Sequence, residues 1–119
     1  PTTLRPITAP PEKAIDKAYD YVQTQKPGLK IEVETRSIDD VKKVLATGKI
    51  NRIMLDNFSL KELKKAIDLN ADLFELEVSG GIDLKNINKY SAIKNIDFIS
   101  IGALTHSVNS LDISFNFIT

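Results

Sequence analysis

The feature that most constrains this chain is a unit that recurs about every 20 to 24 residues: an alternating strand-like run, a capping residue and an amphipathic helical stretch. IEVET at 31–35 alternates strictly. Ser37 followed by Asp40 resembles a capping box, with Asp in the usual place of Glu or Gln, and Ile38, Val41, Val44 and Leu45 repeat at helical spacing until Gly48. NRIMLD at 51–56 starts the unit again, with Ser59 and Glu62 as a second capping box and Leu60, Leu63, Ala66 and Ile67 as the apolar stripe. LFELEV at 73–78 is the third strand, Asp83 is placed to cap a helix through Tyr90, and DFISIG at 97–102 is the fourth strand. A helix after every strand at this period calls for right-handed crossovers, so the fold class is α/β with parallel βα repeats. Upstream, PTTLRPITAPPE holds four of the five prolines and reads as an extended piece and a turn, with TLRPIT a candidate for a further strand. Pro11 suits the first turn of a helix over 12–25, lined by Ala14, Ile15, Ala18, Tyr21 and Val22 and stopped by Pro27-Gly28.

The alternation within the strands narrows the architecture. A parallel sheet covered on both faces shows continuous apolar runs. Here Ile31, Val33, Ile53, Leu55, Leu76 and Val78 share one face, whereas Glu32, Glu34, Asp56, Glu75 and Glu77 share the other with Arg52. Burying that second face unpaired would cost several kcal/mol per charge. It is therefore a solvated lumen, a metal site, a surface meeting cations from elsewhere, or one open side of a small sheet. A TIM-like barrel with its mouth at the strand C-termini satisfies the pattern, but a full one takes about 250 residues. The expectation is a single domain over 1–119 forming about half such a barrel, or a flavodoxin-like sheet if it stands free.

Composition excludes several functions. Lys plus Arg and Asp plus Glu both number 16, so no net field draws nucleic acid or an anionic membrane. No cysteine is present, and the single His rules out a His-rich zinc site. No apolar run approaches the ~18 residues of a spanning helix, and the expected location is cytoplasmic. Ser107 beside His106 has no convincing base, so acyl transfer ranks low.

The strand C-termini carry the chemistry. Glu34 and Asp56 would project from neighbouring strands into one mouth, as lumen ion-pair partners or as a pair suited to Mg²⁺, which takes one or two carboxylates plus substrate phosphate oxygens. Ser79-Gly80-Gly81 and Gly102-Ala103 follow the late strands, where backbone N–H groups can cradle a phosphate. His106 could donate to that phosphate or orient a loop, a structural role being the commoner one.

IEVET, RIMLDNFS, E-x-E-x-SGGI, DFISIGALTHS and LDISF, in that order, resemble the C-terminal half of the quinolinate phosphoribosyltransferase family, over about residues 13–115. The resemblance implies an α/β barrel completed across a homo-oligomer. It also implies phosphoribosyl transfer from phosphoribosyl pyrophosphate to quinolinate with Mg²⁺, giving nicotinate mononucleotide, pyrophosphate and CO₂ for NAD biosynthesis. By matching motif, Glu34 and Asp56 would hold ribose and metal, Ser79, Gly80, Gly81, Gly102 and Ala103 the phosphates, and Glu77 and His106 would lie near. The family's N-terminal domain and the basic cluster that meets the quinolinate carboxylates lie upstream of the matching region, and TLRPITAPPE has only Arg5 as a cation. The expectation is a fragment or recut half-barrel of the enzyme, inactive alone and without a tightly bound cofactor. The alternative is a non-catalytic scaffold with at most weak phosphate binding. Leu76 and Val78 are bulkier than the family's usual residues beside SGG and are the expected source of any collapse of that loop.

Overall fold

A computed structural model describes residues 2–4, 11–101 and 115–118. The elements in chain order are β1 (Thr2–Leu4), α1 (Pro11–Gln25), β2 (Lys30–Thr35), α2 (Ile38–Thr47), β3 (Arg52–Asp56), α3 (Leu60–Asn70), β4 (Glu75–Ser79), α4 (Ile87–Ser91), β5 (Phe98–Ile99) and β6 (Phe115–Ile118). The sheet order is β1-β6-β2-β3-β4-β5. Strands β2 to β5 are parallel, as the repeated unit requires, while β6 runs antiparallel to β2 and β1 antiparallel to β6. The N-terminal segment thus adds its strand at the sheet edge, reached through a last strand that no sequence signal identified.

One face of the sheet holds the core. Ile31, Val33, Ile53, Leu55, Leu76 and Val78 are almost wholly buried with Ala14, Ile15, Ala18 and Val22 of α1, Val41 and Val44 of α2, and Leu63 and Ala66 of α3. Each fully buried branched side chain of this kind contributes about 2 kcal/mol. Tyr21 and Leu60, counted in the helical stripes, are instead 44% and 40% exposed, at the margin of their helices' buried faces. Leu76 and Val78 fill the helix-side core and do not crowd the opposite face.

The caps form where the sequence places them, with one variation. Ser59 and Glu62 exchange both bonds of the capping box, at 3.1 and 3.0 Å. Ser37 Oγ accepts from the Asp40 amide at 3.1 Å, but the Asp40 carboxylate reaches past the cap and accepts from the amide of Arg36 at 3.0 Å. Asp83 does not open a helix directly. Its carboxylate accepts from the amides of Lys85 and Asn86, forming a turn that delays α4 to Ile87 and leaves it 5 residues long. The third strand also starts later than its pattern suggests, because the Asn70 side chain pairs with both backbone groups of Phe74 and takes the place of a strand neighbour. Of the fourth strand, only Phe98–Ile99 pairs with β4, and Gly102 lies outside the described residues.

Candidate active site

The polar face is an ordered set of ion pairs. Register aligns Glu32, Arg52 and Glu75 in one row and Glu34, Met54, Glu77 and Phe98 in the next, with Asp56 opposite Ser79 at the C-terminal rim. In the lower rows Arg52 is the hub. Its guanidinium lies 3.7 Å from Glu32, 3.2 Å from Glu75 and 3.4 Å from Glu77, and its central carbon sits 3.8 Å from the centre of the Phe98 ring. Glu77 also accepts from the Ser100 hydroxyl at 2.5 Å. Burial alone would push the Glu77 carboxyl up. A side-chain hydrogen bond with Glu32, the Ser100 hydroxyl and the Arg52 charge outweigh it and hold Glu77 below the ordinary glutamate value.

At the rim a second cation meets the acids. Arg36, one residue beyond β2, places Nη2 2.8 Å from Glu34 and Nε 3.7 Å from Asp56, so a single guanidinium spans carboxylates of two neighbouring strands. Burial raises the Glu34 pKa; Arg36 opposes that rise, while the charge of Asp56 and a side-chain hydrogen bond with it reinforce it, leaving Glu34 above the ordinary value. The Thr35 hydroxyl, fully buried, donates to the Met54 carbonyl at 2.8 Å and ties the two strand ends together. Asp56 in turn accepts from Ser79 Oγ at 3.2 Å.

The turn after β4 is locked against the turn after β3. Asn57 has a φ of 64° and donates its amide to the Ser79 carbonyl at 2.9 Å. Gly80 has a φ of 90°, and a Cβ there would come within 2.7 Å of both the Asn57 nitrogen and an Asp56 carboxylate oxygen. Only glycine accommodates that backbone conformation and that approach. Asp56 and Ser79-Gly80-Gly81 are therefore assembled at one rim, with Glu34 tied to Asp56 through Arg36 from the row below, which Glu34 shares with Glu77. Gly102, Ala103 and His106 lie outside the described residues.

Sequence reasoning missed Arg36, Asn57 and the Arg52–Phe98 stack. The signal for Arg36 was available: it continues the alternation that aligns Glu32 and Glu34, so it falls on their face. Among the described residues no three acids or histidines converge as a metal cage. The donor set of Glu34 and Asp56 fits a Mg²⁺ ion that brings phosphate oxygens with it, and does not fit one held by protein groups alone. Among the described residues no helix is long and apolar enough to cross a membrane.

Residues 6–116 match the family described as "Quinolinate phosphoribosyl transferase, C-terminal domain". The chain is 38% identical over 115 residues to the chloroplastic nicotinate-nucleotide pyrophosphorylase [carboxylating] of Arabidopsis thaliana, covering 85% of this chain and 33% of that protein. It is 39% identical to a probable nicotinate-nucleotide pyrophosphorylase of Methanocaldococcus jannaschii, covering 90% of this chain and 38% of that one. Among solved structures, NadC from Streptococcus pyogenes is similar with a TM-score of 0.68 at 35% identity, over 91% of this chain and 35% of the other. The nicotinate-nucleotide pyrophosphorylase of Francisella tularensis gives 0.66 at 32% identity, over 89% and 36%. The chain spans about a third of the length of the curated relatives it matches. A match across nearly the whole chain makes this chain a member of the quinolinate phosphoribosyl transferase family, within its C-terminal domain.

Proposed function

We propose that this chain supplies the phosphoribosyl-binding half of a quinolinate phosphoribosyltransferase, which converts quinolinate and phosphoribosyl pyrophosphate to nicotinate mononucleotide, pyrophosphate and CO₂ in NAD biosynthesis. The observation that carries this reading is the convergence of Glu34, Asp56 and the Gly80-dependent turn at one rim. Family membership supplies the reaction. As pyrophosphate leaves the ribose, positive charge grows on the sugar, and fixed carboxylates aimed at that position stabilise it. Glu34 and Asp56 also accept from ribose hydroxyls. The Ser79-Gly80-Gly81 turn presents backbone N–H groups to a phosphate, a role that Gly102 and Ala103 would share, with Glu77 and His106 as neighbours. A Mg²⁺ ion carried by the substrate would neutralise the leaving pyrophosphate, with Glu34 and Asp56 as its protein ligands.

The quinolinate carboxylates need cations beyond Arg36 and Arg52, both of which already lie among acids. Those cations come from the rest of a half-barrel's complement, in the same polypeptide or a second copy in a homo-oligomer acting in the cytoplasm; several relatives are named as chloroplastic or mitochondrial. The 119-residue chain alone is expected to show negligible turnover. It should still bind phosphoribosyl pyrophosphate in the millimolar range, on the order of 4 kcal/mol. Amide NMR during titration tests this: shifts should centre on Ser79 to Gly81 and on Gly102 to Ala103. No shift at ~20 mM ligand would favour a structural scaffold, and nicotinate mononucleotide formed by the chain alone would refute the division of labour.

A further inference from the structure

We propose that Arg36 is the built-in counter-ion of the Glu34–Asp56 pair, a positioning residue that keeps divalent metal out of the pair until a phosphorylated sugar arrives. The proposal rests on the phosphoribosyl reading for the identity of that sugar, and on geometry for the rest. The guanidinium approaches both carboxylates, at 2.8 Å from Glu34 and 3.7 Å from Asp56. Its side chain is only 23% exposed. Its position is not left to a flexible loop. The Arg36 amide donates to Asp40, whose own amide is held by the Ser37 cap, and the preceding Thr35 is fully buried and bonded to Met54.

A divalent ion would seek the same carboxylate oxygens. Metal affinity at oxygen sites rises with ligand charge, and Arg36 cancels one of the two charges offered. Mg²⁺ also gives up water reluctantly, so a half-neutralised pair with no third carboxylate among the described residues is a poor competitor for its hydration shell. A pyrophosphate changes both terms. It brings oxygens that complete the metal's coordination, and it offers the planar guanidinium a bidentate anionic partner in place of the carboxylates. Arg36 thereby makes metal entry dependent on the sugar phosphate.

The test uses Mn²⁺ alone, followed by the paramagnetic resonance of the free ion, with no substrate present. Arg36→Gln should bind Mn²⁺ about tenfold or more tightly than the parent protein, while Arg36→Lys, which keeps the charge, should stay near the parent. Adding Glu34→Gln to Arg36→Gln should abolish the gain. If Arg36→Gln fails to fold, Arg36→Met preserves the stem and carries the same expectation. Unchanged or weaker Mn²⁺ binding in the folded variants overturns the proposal. A separate titration with phosphoribosyl pyrophosphate tests the phosphoribosyl reading: failure of that ligand to bind leaves the Mn²⁺ result standing, and normal binding of it does not rescue an unchanged Mn²⁺ affinity.

Discussion

Gly80 is the residue on which the rim depends most directly, because its backbone lies in the left-handed region and its missing side chain admits Asp56 and Asn57. Gly80→Ala combines a strained φ with a 2.7 Å contact to backbone, and should cost about 2 kcal/mol or more in urea unfolding. It should also remove the phosphate-induced shifts at Ser79 and Gly81, since relief of the clash pushes the two turns apart. Two glutamates of one row of the polar face, Glu34 on β2 and Glu77 on β4, give opposite pH dependences. Glu77 lies below its ordinary value of 4.5 in the fold, so it stabilises above that value and the contribution is lost as pH falls through its folded pKa. Glu34 lies above 4.5 in the fold, so its contribution is present below 4.5 and is lost as pH rises through the folded value. Thermal unfolding at about pH 4 and about pH 7 should therefore show Glu34→Gln gaining on the parent protein as pH rises, and Glu77→Gln losing ground. The same sign for both variants would contradict these environments.

At the scale of elements, the parallel sheet and its two faces were legible because period-two alternation is a local property that each strand carries for itself. IEVET, RIMLD and ELEV needed no partner to declare which side meets the helices. The boundaries were less legible where a side chain replaces backbone pairing. Asn70 satisfies Phe74 and so delays β4, and Asp83 satisfies two amides and so delays α4. Arg36 escaped notice because the cap at Ser37 suggests that the strand face has already ended. Strand β6 escaped because its partner β2 is about 80 residues away in sequence, and long-range antiparallel pairing leaves no local mark. The ion-pair hub could be counted but not connected from sequence, since which acids surround Arg52 depends on register. That hub links three neighbouring strands, and Glu32, one of the acids around Arg52, is only 3% exposed. Arg52→Met should destabilise by about 3 kcal/mol, measured by urea unfolding, because it leaves buried carboxylates without their cation. Arg52→Lys should recover only part, having neither the fork nor the flat surface that meets Phe98.

At the scale of the whole molecule, the helices pack on one face of the sheet, and among the described residues the acid-rich side chains line the other. Five carboxylates on that face meet two guanidiniums among the described residues, so it carries a surplus of negative charge even with its internal pairs made. Phe98 and Ile101, at 40% and 46% exposure, leave apolar area at the β5 end. These two features pull self-association in different directions. Two copies meeting face to face would bring like charges together, a repulsion that added salt screens over the ~8 Å Debye length of physiological buffer. Their apolar contact at β5 is not weakened by the same salt. A face-to-face homodimer should therefore strengthen between low and high salt in light scattering. A dimer that dissociates on adding salt would have to be held by opposite charges, and the two guanidiniums of this face are already engaged by its own carboxylates. That outcome would move the self-association to another surface and leave the acid face to a basic complement of different sequence.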